Sequence, residues 1–104
     1  EFEESTEWIV DPAITDVHAL AAGDFNGDGL DDVAGISFSE NIVVWYENQG
    51  EGTFTRHQID VGGSQQAYDL RAADIDDDGR LDLIAAGRNT RNILWLRNVG
   101  SQPE

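Results

Sequence analysis

The chain contains no cysteine, no methionine and no lysine, and only two prolines among 104 residues. Without cysteine, neither a disulfide framework nor a zinc–thiolate centre can be built, and the redox compartment cannot be read. No apolar run approaches the roughly 20 residues that a membrane-spanning helix needs. The first residue is Glu1, no leader precedes it and no methionine occurs anywhere, so a processed or excised product is expected. Basic charge is scarce: six arginines face 21 acidic residues, for a formal net charge of -15. A nucleic-acid partner is thereby excluded, because its phosphates would be repelled rather than neutralised, and an anionic membrane surface is disfavoured for the same reason. No nucleophile, base and orienting group occur in a recognisable set, and Asp28-Gly29 and Gly62-Gly63 fall in turns of a strand-rich chain rather than in a phosphate-cradling loop. The chain is not expected to be an enzyme.

What is present suffices for a folded core. With 39% apolar and 9% aromatic residues, the chain fits one small domain of modest stability. Its acids are clustered rather than spread, and such self-repulsion opposes compaction unless a cation is bound. The chain also repeats itself. Leu20, Ala22, Asp24, Asp28, Gly29, Asp32, Trp45, Asn48 and Gly50 recur as Leu70, Ala72, Asp74, Asp78, Gly79, Asp82, Trp95, Asn98 and Gly100, always at an offset of 50. Two copies of one unit follow, over residues 14–60 and 64–100, within a single module of residues 1–104.

Within each unit, short apolar stretches alternate with turns rich in Gly, Asn, Asp and Ser, and no 3.6-residue period is sustained. The pattern predicts strands at Val17 to Gly23, Asp32 to Ser37, Ile42 to Glu47 and Thr53 to Ile59, then at Ala67 to Ala73, Asp82 to Gly87 and Asn92 to Arg97. Ile42-Val43-Val44-Trp45-Tyr46 and Ile93-Leu94-Trp95-Leu96 are apolar on both faces, so their sheets must be covered on both sides. Four strands per unit of about 50 residues is the spacing of a β-propeller blade. The expected class is all-β: two four-stranded blades per chain. The second unit lacks a fourth strand, whereas Glu7 to Val10 precedes the first as a surplus one. That segment resembles His57-Gln58-Ile59-Asp60 and is expected to complete the last blade, in the same chain or in a neighbour.

The chemistry lies in two loops, Asp24-Phe25-Asn26-Gly27-Asp28-Gly29-Leu30-Asp31-Asp32 and Asp74-Ile75-Asp76-Asp77-Asp78-Gly79-Arg80-Leu81-Asp82. Calcium takes six to eight oxygen ligands, and a tight loop supplies them from alternate side chains at positions 1, 3 and 5. Asp24, Asn26 and Asp28 stand there in the first loop, Asp74, Asp76 and Asp78 in the second. Glycine at position 6 permits the sharp reversal that turns the next carbonyl inward, here that of Leu30 or Arg80. Asp32 and Asp82 close the cage at position 9. An EF-hand would need a glutamate at position 12, where Gly35 and Ala85 stand instead, with strand-like sequence around them. Two calcium ions per chain are expected in a structural role, changing the formal charge from -15 to -11 (-15 + 4). The second loop, with four side-chain carboxylates against three, is expected to bind more tightly.

These loops, with the endings Val44-Trp45-Tyr46-Glu47-Asn48 and Leu94-Trp95-Leu96-Arg97-Asn98, make the chain resemble the FG-GAP/VCBS repeat family of calcium-loop propeller blades over nearly its whole length. The resemblance implies calcium between the first two strands of each blade. The Phe-Gly-Gly-Ala-Pro signature of the integrin type is absent, which favours the bacterial VCBS-like branch. Millimolar extracellular calcium suits such loops, so a secreted or cell-surface module for binding or adhesion is expected. Two blades do not surround an axis, which implies a homo-oligomeric ring or the remaining blades of a longer chain. Three chains, giving six blades, are favoured over four. A carbohydrate-binding lectin with a glycan ligand, or a fragment of a propeller enzyme such as a polysaccharide lyase, are the alternatives. Trp45 and Trp95 are expected in blade-to-blade packing and Trp8 at an edge strand. His18 and His57 are expected at a surface or interface, and Arg88 and Arg91 in a solvated loop.

Overall fold

The structure, a computed structural model, describes residues 9–37, 39–40, 42–59, 67–87 and 93–100, with backbone alone for 67 and 68. Seven strands follow in chain order: β1 (Val17–Gly23), β2 (Asp32–Ser37), β3 (Ile42–Gly50), β4 (Thr53–Ile59), β5 (Ala67–Ala73), β6 (Asp82–Gly87) and β7 (Ile93–Leu96). They form two antiparallel sheets, a four-stranded one in the order β1-β2-β3-β4 and a three-stranded one in the order β5-β6-β7. There is no helix among the described residues. Five strands keep the ends that the sequence implies. β3 runs on to Gly50, and β7 ends at Leu96, while Asn92 at its expected start lies outside the described residues.

The offset of 50 is a structural symmetry as well. Gly23 pairs with Asp32 and Ala73 with Asp82, while Ala34 faces Trp45 as Ile84 faces Trp95. Even the irregularity repeats: the register slips between Val17 and Ala19, and again between Ala67 and Asp69. A bulge of this kind increases local twist and bends the strand.

Strand alternation sorts each sheet into two faces. Ala34, Ile36 and Val43 on one face of the first sheet pack with Phe25 against Leu70, Leu83 and Ala85 of the second. Trp45 and Ile59 border this core from the first sheet, Ala72, Leu94 and Leu96 from the second. The repeat-equivalents of Leu70, Leu83 and Leu94 are Leu20, Val33 and Val44, which lie on the opposite face of the first sheet. The two sheets therefore stack head to tail, unlike face on unlike face.

Residues preceding β1 brace that opposite face. Tyr46 Oη donates to Asp11 Oδ2 at 2.7 Å, and Arg56 Nη1 donates to the same oxygen at 2.9 Å. Ser37 Oγ donates to the Thr15 carbonyl at 2.6 Å. Of the surplus strand, Glu7 and Trp8 lie outside the described residues, and Ile9 and Val10 are not in strand conformation. Arg88 and Arg91 also lie outside them.

Candidate metal centre

Both acidic loops link the first two strands of a blade, and their shape is set by carboxylates that accept backbone amides. In the first loop, Asp24 Oδ1 accepts the amides of Gly27 at 2.8 Å and Asp28 at 3.2 Å, and Oδ2 accepts that of Gly29 at 2.7 Å. Asp28 Oδ1 accepts the Leu30 amide at 2.9 Å. The second loop repeats the scheme: Asp74 accepts the amides of Asp78 at 3.1 Å and Gly79 at 2.8 Å, and Asp78 that of Arg80 at 2.9 Å. Gly29 and Gly79 turn the chain with φ of +89° and +88°, a region that L side chains rarely adopt.

Asp32 and Asp82 are the pins. Each is buried and uses both oxygens on backbone amides of separate segments. Asp32 takes Phe25 at 2.9 Å and Asn48 at 2.8 Å; Asp82 takes Ile75 at 3.1 Å and Asn98 at 2.7 Å. The loop start is thus tied to the far end of the third strand. Asn48 and Asn98 extend the tie. The side-chain amide of Asn48 donates to the Asp31 carbonyl at 2.9 Å, and that of Asn98 to the Leu81 carbonyl at 3.0 Å. Asn98 also donates to the Phe25 carbonyl at 2.6 Å, which links the second blade to the loop of the first.

Asp24, Asp28 and Asp32 offer carboxylate oxygens within 4.8 Å of one another, as do Asp74, Asp76 and Asp78. Asp82 is not part of the second triad. Asn26 turns its amide nitrogen to Glu47 Oε2 at 3.0 Å, which leaves its carbonyl oxygen as the atom it can offer a cation. Asp76, its counterpart, accepts the Arg97 Nε–H on Oδ2 at 2.7 Å. Its Oδ1 is buried without any hydrogen-bond partner, alone in this among the side-chain polar atoms of the described residues. A buried carboxylate oxygen facing no donor costs free energy. The hard oxygen donors on both loops suit a hard divalent cation such as calcium. Leu30 and Arg80 stand at the loop exits with their amides held as described, and the Arg80 guanidinium lies 3.3 Å from Asp78 Oδ2.

The electrostatics follow from these contacts. The Gly29 amide, followed by those of Gly27, Asp28 and Asn26, holds the Asp24 carboxyl below its ordinary range. The Arg80 amide does the same for Asp78, helped by the Arg80 guanidinium. Hydrogen bonding to Asp76 raises the Arg97 guanidinium above its usual value. Arg80 and Arg97 thus set two positive charges against the four candidate ligand carboxylates of the second loop, Asp74, Asp76, Asp78 and Asp82, whereas Glu47 adds a negative one beside the first. This offsets the advantage that a bare count of carboxylates assigns to the second loop. Glu47 and Arg97, which stand 50 residues apart, escaped sequence reasoning; the signal available was their place between the repeated Trp and Asn.

Trp45 and Trp95 part company. Trp45 stacks on His57 with ring centroids 4.6 Å apart and meets Phe25 edge-on at 6.2 Å, while Trp95 sits on the uncovered face of the second sheet. His57 also meets Glu47 Oε1 at 2.9 Å, and His18 lies 3.2 Å from Asp16.

Stacked antiparallel sheets, each with an acidic loop between its first two strands, define a pair of repeated β-units. The chain belongs to the FG-GAP-like repeat family, whose model matches residues 24–85. No curated protein and no solved structure matches it.

Proposed function

We propose that the chain is a calcium-stabilised β-propeller module that works in binding or adhesion outside the cytoplasm, its two blades joined by those of further copies into a ring. The observation that carries the calcium reading is the buried, unpartnered Asp76 Oδ1 within a group of three carboxylates. One ion per blade is held by Asp24, Asn26, Asp28 and Asp32 with the Leu30 carbonyl, and by Asp74, Asp76 and Asp78 with the Arg80 carbonyl, Asp82 bracing the second loop through the Ile75 and Asn98 amides. The second ion discharges the repulsion within its triad and gives the orphaned oxygen a partner. The role is structural: each ion fixes the turn that joins the two inner strands of a blade and lowers the charge that opposes compaction.

Calorimetric titration of the chelator-treated chain tests this directly. Two ions per chain are expected, with a rise in melting temperature; each site contributes about 2.7 kcal/mol when calcium stands at 100 times its dissociation constant. Magnesium, which demands tighter octahedral geometry, should stabilise less. An absence of heat together with an unchanged melting curve refutes the calcium reading.

A further inference from the structure

The contact between the two blades is a template for a second contact. Ala34, Ile36, Val43 and Trp45 of the first sheet face the second blade, and their repeat-equivalents are Ile84, Ala86, Ile93 and Trp95. Those residues form the outer face of the second sheet, which nothing covers among the described residues. Val43 is 0% exposed where Ile93 is 76% exposed. On the receiving side the open position is Leu20, 64% exposed where its equivalent Leu70 is 1% exposed, while Val44 and Tyr46 of the same face are already buried. The charged pair flanking this face, Arg71 and Asp69, is closed on itself at 2.8 Å.

The free edge of β7 makes the same point through the backbone. β4 pairs with β3 so that Val43 meets Ile59, Val44 meets Gln58, Trp45 meets His57 and Tyr46 meets Arg56. Carried through the offset of 50, this register sets Ile93 opposite Ile9, Leu94 opposite Trp8, Trp95 opposite Glu7 and Leu96 opposite Thr6. Ile9 is 72% exposed, so the register joins two isoleucines that water otherwise surrounds. A cleft of about 820 Å³ runs beside this edge, lined by Trp45, Ile59, Leu83 and Leu96. Leu94 points to the same side, so a strand added at this edge borders that cleft.

The strand must come from another molecule. Asp11 is held by Tyr46 and Arg56 on the face of the first sheet that is turned away from the second. Two residue steps lead from it to Ile9 and span at most about 7 Å, whereas adjacent sheets lie about 10 Å apart. A neighbouring blade seated on the Asp11 face lies beside that segment, and the chain's own β7 lies beyond a whole sheet.

We propose that the outer face and free edge of the second blade bind a second copy of this chain: Ile84, Ile93 and Trp95 cover Leu20 of the neighbour, and the neighbour's residues 3–9 add to β7 as its fourth strand. This rests on the assembly reading above and names the surface that assembly uses.

The absence of cysteine makes the test unambiguous. Ile9→Cys and Ile93→Cys chains, each otherwise intact, are mixed with calcium under mild oxidation; directly opposed residues in an antiparallel pair have Cα separations of about 4.5–5.5 Å, within disulfide range. A covalent heterodimer is expected on a non-reducing gel, absent when Glu51→Cys replaces Ile93→Cys, and an Ile93→Asp chain should sediment as a monomer where the parent does not. The doubly substituted chain should give multiples of the chain mass. If it closes on itself as a monomer, the strand pairs within its own chain and the proposal is wrong. Sedimentation as a multimer without the heterodimer places the interface elsewhere and overturns the proposal while the ring reading stands. A monomer at every concentration overturns both.

Discussion

Asp32 provides a sharp test of how the loops are built. Replacing it with asparagine leaves the shape of the side chain and removes one acceptor. In the parent, its two oxygens accept the Phe25 and Asn48 amides at 2.9 and 2.8 Å in a fully buried setting. In Asp32→Asn one of those amides meets an NH2 group instead. A hydrogen bond to a charged acceptor contributes about 1.5–3 kcal/mol, and a buried donor left unpaired costs about 1–3 kcal/mol. A combined loss of about 3–5 kcal/mol is expected, a large share of the roughly 5–15 kcal/mol that holds a domain together. It corresponds to a fall in melting temperature of roughly 15–20 °C. Asp28→Asn is the control, since its retained oxygen still accepts the exposed Leu30 amide. In excess chelator it should change stability by less than about 0.5 kcal/mol, because neutralising one member of a carboxylate triad relieves repulsion. In calcium it should lose most of the first loop's ion-dependent stabilisation. Thermal denaturation followed by circular dichroism, with chelator and with calcium, reads all four cases. If Asp32→Asn melts with the parent in chelator, the buried carboxylate is not the pin described here.

Other expectations follow from the same contacts. Gly29→Ala and Gly79→Ala force an L side chain into left-handed backbone at φ near +89° and +88°, and each should cost about 1–2 kcal/mol in urea denaturation; unchanged midpoints would contradict the strained turn. The hydrogen bond from Tyr46, with the Arg56 charge behind it, holds the Asp11 carboxyl below its ordinary value of 3.8. Its stabilisation is therefore present in full above the ordinary carboxylate range and lost as pH falls through the depressed folded value. Asp11→Asn should cost about 1–2 kcal/mol at neutral pH, with the gap to the parent closing below pH 3.8; a gap independent of pH refutes the charge-assisted bond. Val43→Ala should lose about 2–3 kcal/mol at any concentration. Ile93→Ala should lose less than about 0.5 kcal/mol in dilute protein and more as concentration rises, and equal losses under both conditions would show that Ile93 stays in water.

The sequence by itself determined the repeat, the strand positions and the two acidic loops. All three are local in origin: strand ends follow turn chemistry within a few residues, and position-1, position-5 and position-6 residues shape a nine-residue turn wherever the rest of the chain lies. The offset of 50 then doubled each inference. Only the tertiary structure decided which oxygens are left without partners. Asp76 reads as one acid among five in its loop, and its solitary Oδ1 arises because Arg97, 21 residues away, takes the other oxygen. The tryptophans carry the same lesson. Trp45 and Trp95 share residue type, strand and register, yet one lies against a neighbouring sheet and the other does not, because burial depends on what stacks upon a face rather than on which residues compose it.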